Sequence, residues 1–129
     1  MPNATANLGS TDFEMTASIR QHKVIIDEPT SNGGQDKGPS PTEMLCASLA
    51  SCTIATIKMY LNHKQLKAEG ITVEVDKSIN AEGKVVFTRK INVKGTFDAD
   101  QKSRLLAVAN KCPIHKMLET GNIIESSLV

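Results

Sequence analysis

At 129 residues and 40 % apolar content, the chain is long enough for one domain with a buried core. With Phe13, Tyr60, Phe87 and Phe97 its only aromatics and no Trp, that core is aliphatic. A net charge of +1, with no basic run longer than two residues, removes the electrostatic footprint of a nucleic-acid binder.

The first residues, MPNATANLGSTD, have neither the basic flank nor the apolar centre of a signal peptide, and residues 1–11 read as a loose end. From Phe13 the apolar residues alternate through Met15, Ala17 and Ile19, the period of a half-buried strand. Arg20 and Gln21 suit a tight turn, and HKVIIDE (22–28) a second strand ended by Pro29. Residues 29–41 then form a loop with three glycines and three prolines. The spacing of Gly33 and Gly38 hints at a phosphate loop, but Pro39 stands where its lysine belongs, so a turn-rich crossing is expected.

Ser40-Pro41-Thr42-Glu43 carries a strong helix start: a capping serine, proline at the first helical position and glutamate at the third. The helix is expected to run to about Lys64, roughly 36 Å at 1.5 Å per residue. Met44, Leu45, Leu49, Cys52, Ile54, Ile57, Met59 and Leu61 cover most of its circumference, and a helix apolar all round must be enclosed. A monomer of this size hardly encloses one so long, so a dimer with two such helices packed together is expected. Ser48, Ser51, Thr53, Thr56 and Lys58 interrupt the apolar run, so no membrane span is expected and a cytoplasmic protein is read.

Two alternating stretches follow, ITVEVDKSI (71–79) and VVFTRKINVKG (85–95), joined by a turn over 80–83. In the second, Arg89 shares a face with Val85, Phe87, Ile91 and Val93. Asp98 and Gln101 start another helix reaching about Lys111, Pro113 breaks helical geometry at Cys112, and IHKMLE forms a short helical segment. NIIESSL (122–128) is expected to close as a strand. The order predicts an α+β domain spanning 1–129, with antiparallel sheet around a long central helix.

Three cysteines, odd in number and far apart, suggest chemistry or core packing rather than a disulfide scaffold. Cys52, with Ser48 and Thr56 one turn away on either side, is either a small buried hydrophobe or a thiol needing an outside cation. Cys112 sits where a helix N-cap belongs, with Pro113 after it and His115 and Lys116 within a turn, a setting that favours a thiolate; otherwise it fills a break between helices. Cys46 lies about 240° round and about 9 Å along the helix from Cys52, out of disulfide reach, and reads as core. Arg89 is a cation for a buried thiol or the partner of a carboxylate such as Glu74, and Arg20 at the hairpin tip is equally open. His22 and His63 read as surface residues. A zinc site from the cysteines and His115 lacks a close ligand pair, so no metal and no cofactor is expected.

GGQDKGPSPTEML, ASLASCTIATIKMYL and LLAVANKCPIHKMLE followed by GNIIESSL, in this order, resemble the OsmC/Ohr family of osmotically inducible and organic hydroperoxide resistance proteins. The resemblance runs from about Asp27 to the C-terminus. It implies an OsmC-like fold as an intertwined homodimer, its two central helices backed by sheets that both chains build. It also implies a cofactor-free thiol peroxidase that reduces organic hydroperoxides in stress defence and is regenerated by a dithiol reductant. Cys52 maps onto the attacking cysteine and Cys112 onto the resolving one. In the family's peroxidases an acid directly after the proline pairs with an arginine that polarises the attacking thiolate. Here that position is Thr42, and the acid is Glu43, which points about 180° from Cys52 around a straight helix. Glu43, Arg20 and Arg89 are thus the candidates for that clamp. The second reading is a non-enzymatic protein on the same fold, binding a small ligand or sensing redox state, which the Thr42/Glu43 shift favours.

Overall fold

The structure, a computed structural model, describes residues 3–129 and divides into two compact units, Met1–Leu45 and Cys46–Val129. In the first unit, strands β1 (Thr5–Leu8), β2 (Met15–Ile19) and β3 (His22–Ile26) form an antiparallel sheet in that order. The β2–β3 hairpin turns at Arg20 and Gln21, with Arg20 in the left-handed region at φ 55°. Strand β1 corrects the expectation of a loose end over 1–11. All four of its residues are exposed, so it carries no apolar alternation, and it is ordered by backbone pairing with β2 from Thr5↔Ser18 to Leu8↔Met15.

Strand β3 stops at Ile26 because Asp27 turns the chain into the glycine-rich loop. The Asp27 side chain is fully buried and accepts from the backbone N–H groups of Glu28 (2.8 Å), Lys37 (3.2 Å) and Gln35 (3.3 Å). Burial alone would push its carboxyl up, but these three donors, with the charge of Lys37, hold it below the usual carboxylate value. The loop's backbone donors are therefore spent on the protein's own carboxylate. Gly34 and Gly38 are needed for close approach: an added Cβ would meet the carbonyl oxygens of Glu28 and Ile25 at 1.9 and 2.2 Å.

Helix α1 (Pro41–Lys64) begins as the sequence predicts. The Ser40 N–H donates to the Glu43 carboxylate at 2.9 Å, and the Glu43 N–H to Ser40 Oγ at 3.3 Å, a reciprocal capping box. It ends in a Schellman motif: Gln65 is left-handed at φ 56°, Leu66 N–H reaches the Leu61 carbonyl and Gln65 N–H the Asn62 carbonyl. Length and composition alone would let α1 cross a membrane. Its fully buried residues are Leu49, Thr53, Ile57 and Leu61, one row at spacing four. The expectation of burial on all sides is thus met along one stripe within this chain, and Leu45 and Met59 stay exposed, the latter at 70 %.

In the second unit, β4 (Gly70–Ile79) and β5 (Val85–Lys94) make a ten-residue hairpin, registered from Gly70↔Lys94 to Ile79↔Val85. Its turn is held by Asn80, whose side-chain oxygen accepts from the N–H groups of Glu82 and Lys84, with Gly83 at φ 82°. Helix α2 (Ala99–Ala109) starts on the Asp98/Gln101 capping box, and α3 (Pro113–Glu119) follows the break at Cys112. Ile57 and Leu61 of α1 pack with Leu105 and Ala109 of α2, flanked by Ile71, Ile91, Val93 and Phe97. The result is an α+β fold of antiparallel sheets and a long helix, as expected. The strand expected over 122–128 is absent: this stretch is irregular, pairs with no strand of the chain and exposes Ile123, Ile124 and Leu128.

Candidate functional site

Two of the three free cysteines meet in the second unit. Cys52 lies mid-α1 and is partly exposed; Cys112, at the N-cap of α3, is fully buried. Their thiols are near enough to shift each other's ionisation, and the neighbours around each decide which holds a negative charge more readily. At Cys112, burial opposes ionisation, but the Cys52 thiol and the N–H groups of His115 and Ile114 outweigh it and bring the thiol below its ordinary value. At Cys52, burial and then the bond to Cys112 raise the thiol, with the charge of Cys112 adding to this. The Ile114 N–H and the Thr56 hydroxyl act the other way without reversing the sign. Where one thiol ionises, the charge is therefore favoured on Cys112 over Cys52.

Thr53 connects this pair to Arg89. Its side chain is fully buried, and its hydroxyl donates to the Leu49 carbonyl at 2.7 Å while accepting from Arg89 Nη1 at 3.0 Å. Arg89 Nη1 also reaches the Ala109 carbonyl at 3.2 Å, and Nη2 reaches Asn110 Oδ1 at 2.8 Å. Arg89 thus ties β5 to α1 and to the end of α2. The carboxylate partner considered for it, Glu74, pairs with Lys90 in the hairpin register, while Arg89 faces Val75; on a pleated strand Glu74 and Arg89 point to opposite faces. Among the described residues no carboxylate lies within 4.0 Å of Arg89.

The remaining candidates lie elsewhere. Glu43 is exposed and engaged with Ser40, whose backbone and hydroxyl donors lower its carboxyl, so its position is that of a helix cap. Arg20 occupies the exposed tip of the β2–β3 hairpin. Cys46 is half-buried, and His22 and His63 are exposed as the sequence suggests. Among the described residues, no three of His, Cys, Asp and Glu gather as metal ligands. Sequence reasoning missed Thr53 and Asn110 as partners of Arg89, and Asp27 as a buried anchor. Asp27 left a weak signal, an Asx residue directly ahead of a Gly/Pro-rich loop. Thr53 left only its polarity inside an apolar helix.

Comparison with known proteins adds three findings. The model of the family of OsmC-like proteins matches residues 34–127. A Psychrobacter arcticus protein, described as osmotic stress induced and of the detoxification response, superposes with a TM-score of 0.78. It is 27 % identical over 90 % of this chain and 87 % of its own. An OsmC-like protein of Mycoplasma pneumoniae superposes at 0.70, with 24 % identity over 90 % and 85 %, and an organic hydroperoxide resistance protein of Legionella pneumophila at 0.67, with 19 % identity over 89 % and 86 %. Curated protein sequences give no match.

Proposed function

This chain belongs to the OsmC-like protein family, with a stress-related redox role suggested by that membership, and from its two coupled thiols we propose that it is a cofactor-free thiol peroxidase acting on organic hydroperoxides. The observation that carries this reading is the placement of a partly exposed Cys52 beside a buried Cys112, near enough for each thiol to shift the other's ionisation.

In this reading Cys52 attacks, because it is the more accessible sulfur. Its proton passes to Cys112, and the Cys52 thiolate displaces RO⁻ from the terminal oxygen of ROOH, becoming a sulfenic acid. The alkoxide takes the proton back from Cys112 and leaves as the alcohol. The Cys112 thiolate then displaces hydroxide from the sulfenic sulfur to form the disulfide, and a dithiol reduces it by exchange. Burial keeps Cys112 from meeting peroxide first, which leaves it the resolving role that the family resemblance implies, although the local electrostatics favour the thiolate on Cys112. If Cys52→Ser leaves cumene hydroperoxide turnover with a dithiol reductant unchanged, the proposal fails.

The working form in this reading is a homodimer. The exposed Leu45 and Met59 of α1, and Ile123, Ile124 (87 % exposed) and Leu128 of an unpaired C-terminal stretch, are surfaces that a second copy would cover. A dimer mass by light scattering at micromolar concentration is expected; a monomer contradicts it. Three free thiols fit a reducing, cytoplasmic setting.

A further inference from the structure

Strand β5 turns Val85, Phe87, Arg89 and Ile91 to one side, and with Leu106 of α2 and Leu118 of α3 they line a cavity of about 500 Å³. That size suits a small organic ligand. Its walls are aliphatic and aromatic apart from one cation. A guanidinium has five N–H donors, and three of those of Arg89 are engaged, all by neutral oxygens of Thr53, Ala109 and Asn110. Its charge is therefore half-buried, fixed in place from behind, and matched by no carboxylate among the described residues. The planar fork, with two donors unspent, is shaped for a carboxylate. The other ionisable lining groups are His115 and Glu119. Their side chains meet each other at 2.6 Å, which leaves the Glu119 carboxylate engaged away from Arg89.

We propose that this cavity binds a small amphiphilic carboxylate, its head on the Arg89 guanidinium and its apolar tail along Phe87, Ile91, Leu106 and Leu118. The site needs neither cysteine, so it stands or falls apart from the peroxidase reading.

Decanoate and its neutral methyl ester are the probes, titrated calorimetrically into the full-length reduced protein. Decanoate is expected to bind saturably, and the ester at least about tenfold more weakly, since it lacks the charge that Arg89 would pair. Arg89→Gln is expected to weaken decanoate by a similar factor. Because Arg89 also ties three elements together, that variant is accompanied by Leu106→Trp, which fills the cavity from an exposed position and is expected to abolish binding with the circular dichroism spectrum unchanged. The proposal is overturned by equal affinity for acid and ester, by undiminished binding in folded Leu106→Trp, by no saturable binding, or by a crystal structure with the cavity filled by a second copy of the chain.

Discussion

Asp27 and Cys112 are both acids whose side chains are fully buried, and both ionise more readily than burial alone would allow, yet the groups around them differ in kind. Asp27 is bound by backbone N–H groups of its own loop, which cannot change partner without unfolding that loop. Cys112 is held partly by backbone N–H groups and partly by a side chain, the Cys52 thiol, which can rotate or give up its proton. A charge bound wholly by backbone is an anchor. A charge whose donor is another titratable thiol can react, because the proton that stabilises it can leave.

The largest expected effect separates these two regions by activity. Cys52→Ser and Cys112→Ser should each lower steady-state hydroperoxide turnover with a dithiol reductant, Cys52→Ser by on the order of a thousandfold or more, since it removes the attacking atom. Asp27→Asn should leave thiol titration as in the parent protein.

Next comes the buried hydroxyl. Thr53→Val strips Arg89 of an acceptor, and should destabilise the fold by about 1–3 kcal/mol in urea unfolding, with Thr53→Ser recovering most of the loss.

The thiols themselves give a smaller signal, a shift rather than a loss. Thiolate ultraviolet absorbance against pH should show a first step, that of Cys112, below the step of Cys52. That step should vanish in Cys112→Ser. It should move to higher pH in Cys52→Ala, which removes the thiol donor.

The smallest effect belongs to the anchor and appears only in acid. The folded carboxyl of Asp27 titrates below its unfolded value of about 3.9, so its stabilisation is complete above that pH and is lost as pH falls through the folded value. Asp27→Asn should lower stability at neutral pH and flatten this part of the acid limb in thermal melts. A parallel pH profile in parent and variant would mean that Asp27 contributes nothing by being charged.

The sequence carried the elements whose signals are local. The Ser40–Glu43 and Asp98–Gln101 boxes, the turn at Arg20 and the break at Cys112–Pro113 are each written in residues a few positions apart. It failed where order comes from a distant strand. Strand β1 has no apolar alternation and forms through its pairing with β2, while NIIESSL alternates well enough for a strand but finds no partner in the chain. The site divides in the same way. Cys52 and Cys112 are conspicuous by type, and the helix-end setting of Cys112 was readable from Pro113. That the two thiols are neighbours, and that Thr53 and Asn110 rather than Glu74 hold Arg89, depends on how α1, β5 and α2 pack, which no spacing along the chain encodes.

The central claim is that Cys52 and Cys112 act as one redox pair. The most direct measurement treats the reduced protein with one equivalent of cumene hydroperoxide and maps the cysteines by mass spectrometry. The account predicts a Cys52–Cys112 disulfide, two hydrogens lighter and reversed by dithiothreitol, with Cys46 still free. A stable sulfinic acid on either cysteine with no such disulfide, or thiols that remain fully reduced, would contradict it.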